Sequence, residues 1–340
     1  MTKEPEERNN KPKPIWTEGH KICKSLKEGS VSSVKLMENI YSRIEFINPQ
    51  VNAIVNLLPK EEALSLAKEA DEVPIPERGP LHGLPMAPKD AVAVKGFPTT
   101  LGYKPFADRI ETNDDLLAAR LRQAGAIFIG HTNMPEFGLG SNTFNSVFGT
   151  TSNPYDLSKS AGGSSGGAAV ALATDMLPLA DGSDMGGSLR NPASFCNVVG
   201  FRPSIGRMPK GLGAAWYGRL STTGPMAKTV KDTAFLMSII SGEDKTDPLT
   251  LTQSGNDFLE ALTPYEILKD RPLKVAVSPS LGDLPVDRQV LNIIKSSAET
   301  FKKIGANVTY ADPPLEGAME AFQIQRAVAL KGLGKMLDQS

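Results

Sequence analysis

Residues 162–173, Gly-Gly-Ser-Ser-Gly-Gly-Ala-Ala-Val-Ala-Leu-Ala, place a glycine-serine island directly before a segment of small apolar residues. A helix that is apolar on every side is normally central and buried, so we predict such a helix over 168–173, with Ser164 near its N-terminus. Residues 177–180, Leu-Pro-Leu-Ala, are typical of a short strand. That strand would deliver a second island, Asp-Met-Gly-Gly-Ser-Leu-Arg at 184–190. The pattern favours an α/β domain.

Each island offers a serine in a backbone free of bulky neighbours, and glycine permits the close ligand approach that an acyl-transfer site needs. A serine also needs a base to become a nucleophile. The chain has three histidines, all upstream of both islands: His20, His82 and His131. Residues 162–166 match the G-x-S-x-G nucleophile elbow, but that elbow belongs to triads in which a histidine follows the serine. A lysine is the remaining simple base, and Lys89 stands in Ala-Pro-Lys-Asp at 87–90.

Several stretches of the sequence together resemble the amidase signature family. They are residues 79–85, 87–90, 130–137, 152–156, 162–167, 184–190, 195–204, 206–209 and 221–226. The likeness is strong over residues 17–245 and weak over the rest of the chain. Because the combined motif is highly specific, the chain is identified as a member of that family.

The resemblance implies a single large α/β/α domain, in which a central mixed β-sheet is covered by helices on both sides. It implies an amidase that hydrolyses a carboxylic amide to an acid and ammonia or an amine through a serine acyl-enzyme. The partner would be a small-molecule amide substrate, with no cofactor and no metal ion. Two alternatives stay open: a glutamine-hydrolysing subunit of a tRNA-dependent amidotransferase, and a truncated, inactive family member. Against the first, residues 214–220 do not resemble that subunit's sequence.

For the site, the resemblance implies a Ser-cisSer-Lys triad. In this chain Lys89 would be the base, Ser164 the bridging serine and Ser188 the nucleophile that becomes acylated. The cis peptide bond would precede Ser164, and Ser165 would help to hold the network. The turn whose N–H groups form the oxyanion hole would comprise Met185, Gly186, Gly187 and Ser188.

Elementary physical chemistry limits how such a triad can work. A lysine in water is protonated near pH 7, because its reference pKa is about 10.4, so Lys89 can act as a base only if burial disfavours its cation. Ala87 and Pro88 give it a mainly apolar context, which is compatible with burial. A hydroxyl both donates and accepts hydrogen bonds. Ser164 could therefore pass a proton from Ser188 to Lys89 and return it to the leaving amine.

Composition and charge set outer bounds on the function. The 340 residues include 37 basic and 38 acidic side chains, for a net charge of −1, and no basic stripe, so we expect no nucleic-acid partner. Cys23 and Cys196 lie far apart and make no disulfide framework or metal cluster. That suits a reducing compartment, and we expect the cytoplasm. No apolar run approaches a membrane span, so we expect no membrane partner, while a homodimer stays open.

The two ends of the chain give further expectations. Residues 1–16 are charged and polar without an apolar core, so we predict a disordered polar tail and no secretory signal. Residues 17–340 would form the amidase signature domain. Because family members usually continue beyond the equivalent of Ser340, we expect this domain to lack its C-terminal portion. We also expect it to be less stable and less active than an extended chain.

Apolar spacing predicts individual elements as well. Helices are expected over 17–28, 33–47, 116–123 and 318–337, and Asn48-Pro49 should end the second of them. A strand is expected over 126–129. A βαβ unit is expected from a strand at 273–277, a helix at 290–304 and a strand at 308–311.

Three smaller patterns have competing interpretations. Residues 32–35 spell the S-x-x-K motif of penicillin-binding serine enzymes, but no K-T-G partner exists, and we expect the first serine to cap a helix. His82 and His131 lie in glycine-bearing turns and are expected to be structural or pocket-lining rather than metal ligands. Asp184 and Arg190 flank the second island, either as a charge pair that pins its turn or as a solvated pair.

Overall fold

The computed structural model describes residues 18–211, 219–263, 271–282 and 284–337. The predicted tail over 1–16 lies outside these residues, and so do residues 214–218 of the stretch that argues against the amidotransferase subunit. The chain divides into two compact units, with the boundary between Leu259 and Glu260. The extent of the amidase signature domain over 17–340 stays a prediction.

The first unit alternates helices with short strands. Its helices are α1 (Gly19–Lys27), α2 (Ser33–Val51), α3 (Lys60–Glu72), α4 (Leu116–Gln123), α5 (Gly166–Ala173), α6 (Arg190–Cys196) and α7 (Val230–Ile240), and α8 (Asp257–Glu260) spans the boundary. Its strands are β1 (Ile54–Val55), β2 (Pro85–Met86), β3 (Ile127–Phe128), β4 (His131–Thr132), β5 (Phe144–Asn145), β6 (Gly149–Thr150), β7 (Ala180–Asp184), β8 (Val199–Gly200) and β9 (Thr222–Ala227). Short 3₁₀ helices occupy Ile75–Glu77, Lys104–Phe106 and Glu136–Gly138.

After α8, the described residues of the second unit contain two strands and two helices. In order they are β10 (Lys274–Val277), α9 (Arg288–Lys303), β11 (Asn307–Tyr310) and α10 (Ala318–Leu337). β10 and β11 pair in parallel along their whole length, and α9 connects them. Asp287 caps α9 by accepting the Gln289 N–H at 2.7 Å. The predicted βαβ unit is therefore confirmed.

Strands of the described residues pair in several small sheets. β7, β9 and β8 form an antiparallel sheet in that order. β2 pairs with β3 in parallel, whereas β1 pairs with β4 and β5 with β6 in antiparallel fashion. The mixed α/β class is confirmed, although the described strands do not join into one continuous central sheet.

The parallel pairing of β2 with β3 shows how a longer sheet is interrupted. After Met86 and Phe128 the parallel pairing stops, and beyond them the two segments form only a single bridge, between Lys89 and Thr132. Pro88 has no N–H to donate. Gly130 has a φ of +152°, a backbone conformation that residues other than glycine rarely adopt. At this bridge the Thr132 N–H donates to the Pro88 carbonyl, while the Asp90 N–H donates to the Thr132 carbonyl. The Lys89 N–H therefore faces the other side, where it donates to a side-chain carboxyl.

One strand lies further along the chain than predicted. The apolar run at 177–180 overlaps β7 only at Ala180. The limits of β7 are set by pairing with β9 along its whole length. The prediction followed apolar side chains, whereas β7 carries the polar residues Asp181, Ser183 and Asp184. Their side chains find hydrogen-bond partners inside the protein, which periodicity alone does not reveal.

Helix α2 is longer than the sequence predicted. It was expected over 33–47, with Asn48-Pro49 as its end, but it continues to Val51. Pro49 lies in the last turn, where its fixed φ suits a helix and only one N–H is missing. The helix ends where Asn52 takes a left-handed φ of +50° and donates its N–H to the Asn48 carbonyl at 2.7 Å.

Helix α5 is the buried centre of the first unit. Every residue from Gly166 to Leu172 is buried, and α5 contacts α6, β7 and β9 as well as β1 and β4. The predicted central helix is confirmed, and so are the helices found as α1, α4 and α10 and the strand found as β3. Among the described residues, we find no helix whose length and hydropathy would allow it to cross a bilayer.

Gly167 lets α5 approach two neighbouring segments closely. A Cβ at this position would lie 2.3 Å from the Asn133 nitrogen and 2.6 Å from the Ala53 oxygen. We expect Gly167→Ala to lower the free energy of unfolding by about 1–3 kcal/mol, because overpacking forces the neighbouring backbone to move. Urea denaturation followed by circular dichroism measures this loss.

A matched control is Gly334→Ala in α10, where an added Cβ would meet nothing within 4 Å. That substitution should not destabilise the protein, because alanine is a better helix former than glycine. An unchanged unfolding midpoint for Gly167→Ala would contradict the packing described for α5.

Candidate active site

The Lys89 amine lies among three serine hydroxyl groups. Its Nζ is 2.6 Å from the Ser164 Oγ, 3.0 Å from the Ser165 Oγ and 3.1 Å from the Ser183 Oγ. Three segments meet here: the bridge after β2, the turn before α5, and strand β7. An ammonium group has three donors and each hydroxyl can accept one. The arrangement therefore satisfies a protonated Lys89, and a neutral Lys89 can accept a proton from a hydroxyl.

Burial controls the charge of Lys89. The side chain is only 1% exposed. Burial lowers the pKa of Lys89 to about 7, although the negative charges of Asp181 and Asp184 raise it. Near neutral pH a substantial fraction of the amine is therefore the free base, which is the condition that a lysine base requires.

Ser164 and Ser165 have different hydrogen-bonding capacity. The Ser165 Oγ accepts from the Lys89 amine and from the Ser183 N–H at 3.3 Å, and it donates to the Ser183 carbonyl at 3.4 Å. A hydroxyl has one donor and two acceptor sites, so Ser165 has none left to relay a proton. Among the described residues, the Ser164 Oγ hydrogen-bonds to Lys89 alone. The peptide bond between Gly163 and Ser164 is cis.

The carboxylate of Asp184 organises the turn of the second island. It is fully buried and accepts the N–H groups of Gly187 at 2.8 Å and Leu189 at 3.2 Å. Arg190 donates to both of its oxygens, at 2.9 and 3.0 Å, and Arg202 donates at 2.9 Å. Burial alone would raise the pKa of Asp184, but these hydrogen bonds hold it well below its usual range. The charge-pair interpretation of Asp184 and Arg190 is confirmed.

The two islands are in direct backbone contact. Ser188 is half-buried in the turn between β7 and α6, and its carbonyl accepts the Ser165 N–H at 3.3 Å. Strand β7 also packs closely against Ser165: a Cβ added to Gly182 would lie 2.7 Å from the Ser165 Oγ. Glycine at this position is therefore a requirement of the packing around the serines.

Gly187 and its neighbours differ in what their N–H groups contact. Gly187 has a φ of +119°, which glycine adopts freely, and its N–H is taken by Asp184 at 2.8 Å. The N–H groups of Met185, Gly186 and Ser188 make no hydrogen bond to a described residue. These three groups are the backbone donors that the turn can offer to a ligand.

The loop that follows Lys89 is held by the buried side chain of Asp90. Its Oδ1 accepts the Thr100 N–H at 3.0 Å, and its Oδ2 accepts the Thr100 hydroxyl and, at 3.2 Å, the Gly102 N–H. Burial raises the pKa of Asp90 to about 6, although these hydrogen bonds lower it. Asp90 thereby fixes the backbone directly after the lysine.

Two residues of β7 complete the surroundings of Lys89, and the sequence analysis missed both. Side chains two apart on a strand share a face. Asp181 accepts the Lys89 N–H, and the Ser183 Oγ contacts its Nζ. Burial raises the pKa of Asp181 to about 7. The alternation would have paired these residues had the strand been placed at 180–184.

A cavity of about 260 Å³ lies beside Lys89 and strand β7. Lys89, Asp181 and Ser183 form part of its wall. The rest of the wall is made by Ala91, Val92, Asp115, Leu116, Leu117, Gly182, Met208, Pro209, Lys210, Ser221 and Thr223. Ser183, which accepts a hydrogen bond from the Lys89 amine, therefore also borders this cavity.

The other residues that the sequence singled out are a helix cap and buried side chains. Ser32 caps α2 by accepting the N–H three residues later at 3.2 Å, so the S-x-x-K pattern is a helix cap. His82 and His131 are buried side chains, and Cys23 and Cys196 are buried free thiols. Within the part of the chain that the structure describes, no three His, Cys, Asp or Glu side chains come together as a metal site.

A family model described as Amidase matches residues 35–335. The chain belongs to the amidase family. The family membership predicted from the sequence is thereby confirmed.

Two curated relatives cover most of this amidase family chain. An acylamidase from Rhodococcus erythropolis is 38% identical over 303 residues, which are 88% of this chain and 62% of that protein. A glutamyl-tRNA(Gln) amidotransferase subunit from Natranaerobius thermophilus is 37% identical over 309 residues, 89% of this chain and 61% of that protein. The chain therefore spans less than two thirds of the length of either relative.

Solved structures of the family share the fold. A bacterial aryl acylamidase of the amidase signature family superposes with a TM-score of 0.84 at 30% identity, covering 94% of this chain and 68% of that one. The peptide amidase of Stenotrophomonas maltophilia superposes with a TM-score of 0.79 at 30% identity, covering 91% of this chain and 64% of that one. The expected amidase signature fold is therefore confirmed.

The charge of Asp184 should stabilise this fold in a pH-dependent way. Its pKa is lower in the folded than in the unfolded protein, so its contribution is present above the unfolded pKa of about 3.9 and is lost as the pH falls below it. We expect Asp184→Asn to lower the free energy of unfolding at neutral pH by about 1–3 kcal/mol. The difference from the wild type should shrink as the pH falls through about 4.

Urea denaturation at several pH values measures both effects. Asp108→Asn is the control, because Asp108 is an exposed carboxylate whose removal should change stability little. Equal unfolding free energies for wild type and Asp184→Asn at neutral pH would show that this charge does not hold the turn.

Proposed function

We propose that this chain hydrolyses a carboxylic amide to an acid and ammonia or an amine, through an acyl-enzyme on Ser188. The observation that carries the proposal is the Lys89 amine, which is buried, has a pKa lowered to about 7, and lies 2.6 Å from the Ser164 Oγ. A neutral amine touching a serine hydroxyl is a general base in contact with a proton relay. The acylamidase, aryl acylamidase and peptide amidase among the relatives support an amide as substrate.

Acylation would begin with a proton moving away from Ser188. Ser164 takes that proton on its Oγ and gives its own to the neutral Lys89, while the Ser188 Oγ bonds to the carbonyl carbon. The Ser165 hydroxyl already makes three hydrogen bonds and cannot relay a proton, so its role is to hold Lys89 and β7 in place. This division assigns the relay to Ser164 and a supporting role to Ser165.

The oxyanion that forms needs donors that are already in position. The N–H groups of Met185, Gly186 and Ser188 are the candidates, because the Gly187 N–H is held by Asp184. Gly187 then supports the oxyanion hole by shaping the turn. Of the four residues whose N–H groups were expected to form this hole, Gly187 would thus contribute the shape of the backbone and not its N–H.

Collapse of the tetrahedral intermediate breaks the carbon–nitrogen bond. The leaving nitrogen receives the proton that Lys89 holds, by way of Ser164, and Ser188 stays esterified. A water molecule then attacks the ester and delivers a proton to Lys89 through the same serine. The acid leaves, Ser188 regains its proton from the relay, and neutral Lys89 is restored.

The amidotransferase subunit is the second candidate function, and the identity of 37% to such a subunit supports it. It would use the same triad on glutamine and would need partner subunits.

We place the protein in the cytoplasm as part of the proposal, because the buried thiols of Cys23 and Cys196 suit a reducing compartment. A small-molecule amide is the partner that the first candidate requires.

An amide hydrolysis screen combined with active-site labelling tests the proposal. We expect the wild type to release 4-nitroaniline from 4-nitroacetanilide, and a fluorophosphonate to modify Ser188, as located by peptide mass spectrometry. Ser188→Ala should abolish both. Lys89→Met, which keeps the length of the side chain without the amine, should lower kcat/KM at least about 10²-fold, the usual scale of general-base catalysis.

Ser158→Ala is the matched control, because Ser158 is an exposed serine and should retain full activity. Glutamine hydrolysis that appears only with added partner subunits and tRNA would favour the amidotransferase function instead. An adduct on Ser164 with Ser188 unmodified would reverse the assignment of nucleophile and bridge.

A further inference from the structure

The carboxyl group of Asp181 lies against the backbone of Lys89. Both of its oxygens are 3.3 Å from the Lys89 nitrogen, and the residue is only 1% exposed. This N–H faces away from the bridge to Thr132, whose hydrogen bonds use the Pro88 carbonyl and the Asp90 N–H. The Asp181 carboxyl group therefore satisfies a buried backbone donor that this bridge does not use.

Asp181 and Asp184 lie on the same strand but have different charge partners. Asp184 is paired with Arg190 and Arg202. Asp181, in contrast, forms no ion pair with a Lys, Arg or His of the described residues. A carboxylate that is taken out of water without a cation is strongly disfavoured. Burial therefore raises the pKa of Asp181, whereas the hydrogen bonds from two arginines and two backbone N–H groups lower that of Asp184.

Among the described residues, the charged groups near Asp181 come from three segments besides its own strand. They are Lys89 after β2, Asp115 at the N-cap of α4, Lys210 across the cavity, and Asp184 on β7 itself. Helix α5 and strand β9 contribute no charged residue to these contacts. Asp181 contacts Lys89 through the Lys89 backbone N–H and not through its ammonium group.

We propose that Asp181 is the positioning residue of the Lys89 base. Its carboxyl group fixes the main chain that carries the lysine. Its negative charge also balances the ammonium that Lys89 becomes each time it takes a proton from Ser164. The proposal rests on the proposed function, because it assigns a role relative to a base.

The pKa directions agree with this geometry. Burial raises the pKa of Asp181 to about 7, and the charge of Lys89 lowers it. Burial lowers the pKa of Lys89 to about 7, and the charge of Asp181 raises it. Two groups that interact in this way and titrate over the same range lose their protons as a pair. Asp181 would therefore move the pH at which Lys89 becomes a base.

The pH dependence of the Asp181→Asn variant tests this role. An asparagine still offers an oxygen to the Lys89 N–H, but it has no charge. Without the carboxylate the ammonium of Lys89 is less stable, so the pKa of Lys89 falls and the free base persists to lower pH. We expect the acid limb of kcat/KM for 4-nitroacetanilide to move to lower pH by about one unit or more, as for the loss of a close opposite charge.

A second measurement does not depend on turnover. The rate at which a fluorophosphonate labels Ser188, followed against pH, reports the ionisation of the base in the absence of an amide substrate. Its acid limb should move in the same direction in Asp181→Asn. If Asp181→Asn does not fold, Asp181→Leu, which has a side chain of similar size and no charge, must show the same shift.

Asp115→Asn is the matched control. Asp115 lines the same cavity, but its carboxylate caps α4 by accepting the Ala118 N–H at 3.0 Å, and asparagine is an equally good cap. Its charge raises the pKa of Asp181, so its removal should not move the acid limb of Lys89 to lower pH. The same downward shift in Asp115→Asn would show a general field effect and would overturn the specific role of Asp181.

Failure of this proposal can be told apart from failure of the proposed function. An acid limb that stays at its wild-type pH in Asp181→Asn, whatever the loss of rate, makes Asp181 a purely structural residue. Labelling of Lys89→Met at the wild-type rate would instead refute Lys89 as the base. The wild type could cleave no amide while Asp181→Asn still shifts the acid limb of Ser188 labelling to lower pH. That result would support the positioning role of Asp181 and refute amide hydrolysis as the function.

Discussion

The hydrogen bonds between the Lys89 amine and three serine hydroxyls are the constraint on which the rest of the site depends. A buried amine is tolerated when it is neutral or when every donor is satisfied, and these hydroxyls permit both states. They come from the turn before α5 and from β7, so the chemistry requires a helix N-terminus and a strand to meet at one lysine. The folding of the first unit therefore also determines the ionisation of the proposed base.

Small residues make that meeting possible. Helix α5 can be central because it has no bulky side chain, and Gly167 lets it touch the backbone at Ala53 and Asn133. Gly182 does the same for β7 against Ser165. Asp184 then holds the next turn through four hydrogen-bonding neighbours. The glycines that first mark the sequence as unusual thus serve close packing as well as access for a ligand.

The sequence predicted the parts of this arrangement that have a local signal. The apolar segment after 167 indicated α5, and the motif resemblance brought Lys89 together with Ser164 and Ser165, which the structure places in contact. Asp181 and Ser183 were missed because apolar periodicity treats polar residues as exposed. Their burial depends on a partner 92 or 94 positions away in the chain. Such a partner is set by tertiary pairing, not by neighbours in sequence.

A direct titration of Lys89 tests the central claim. Lysines labelled with ¹³C at Cε can be followed by NMR over a pH series, and Lys89→Met identifies the signal of residue 89. The account predicts a midpoint near 7 for this signal, since burial lowers the pKa of Lys89 to about 7. A midpoint at about 10.4, the value for lysine in water, would mean that the amine is a permanent cation at neutral pH and cannot be the base.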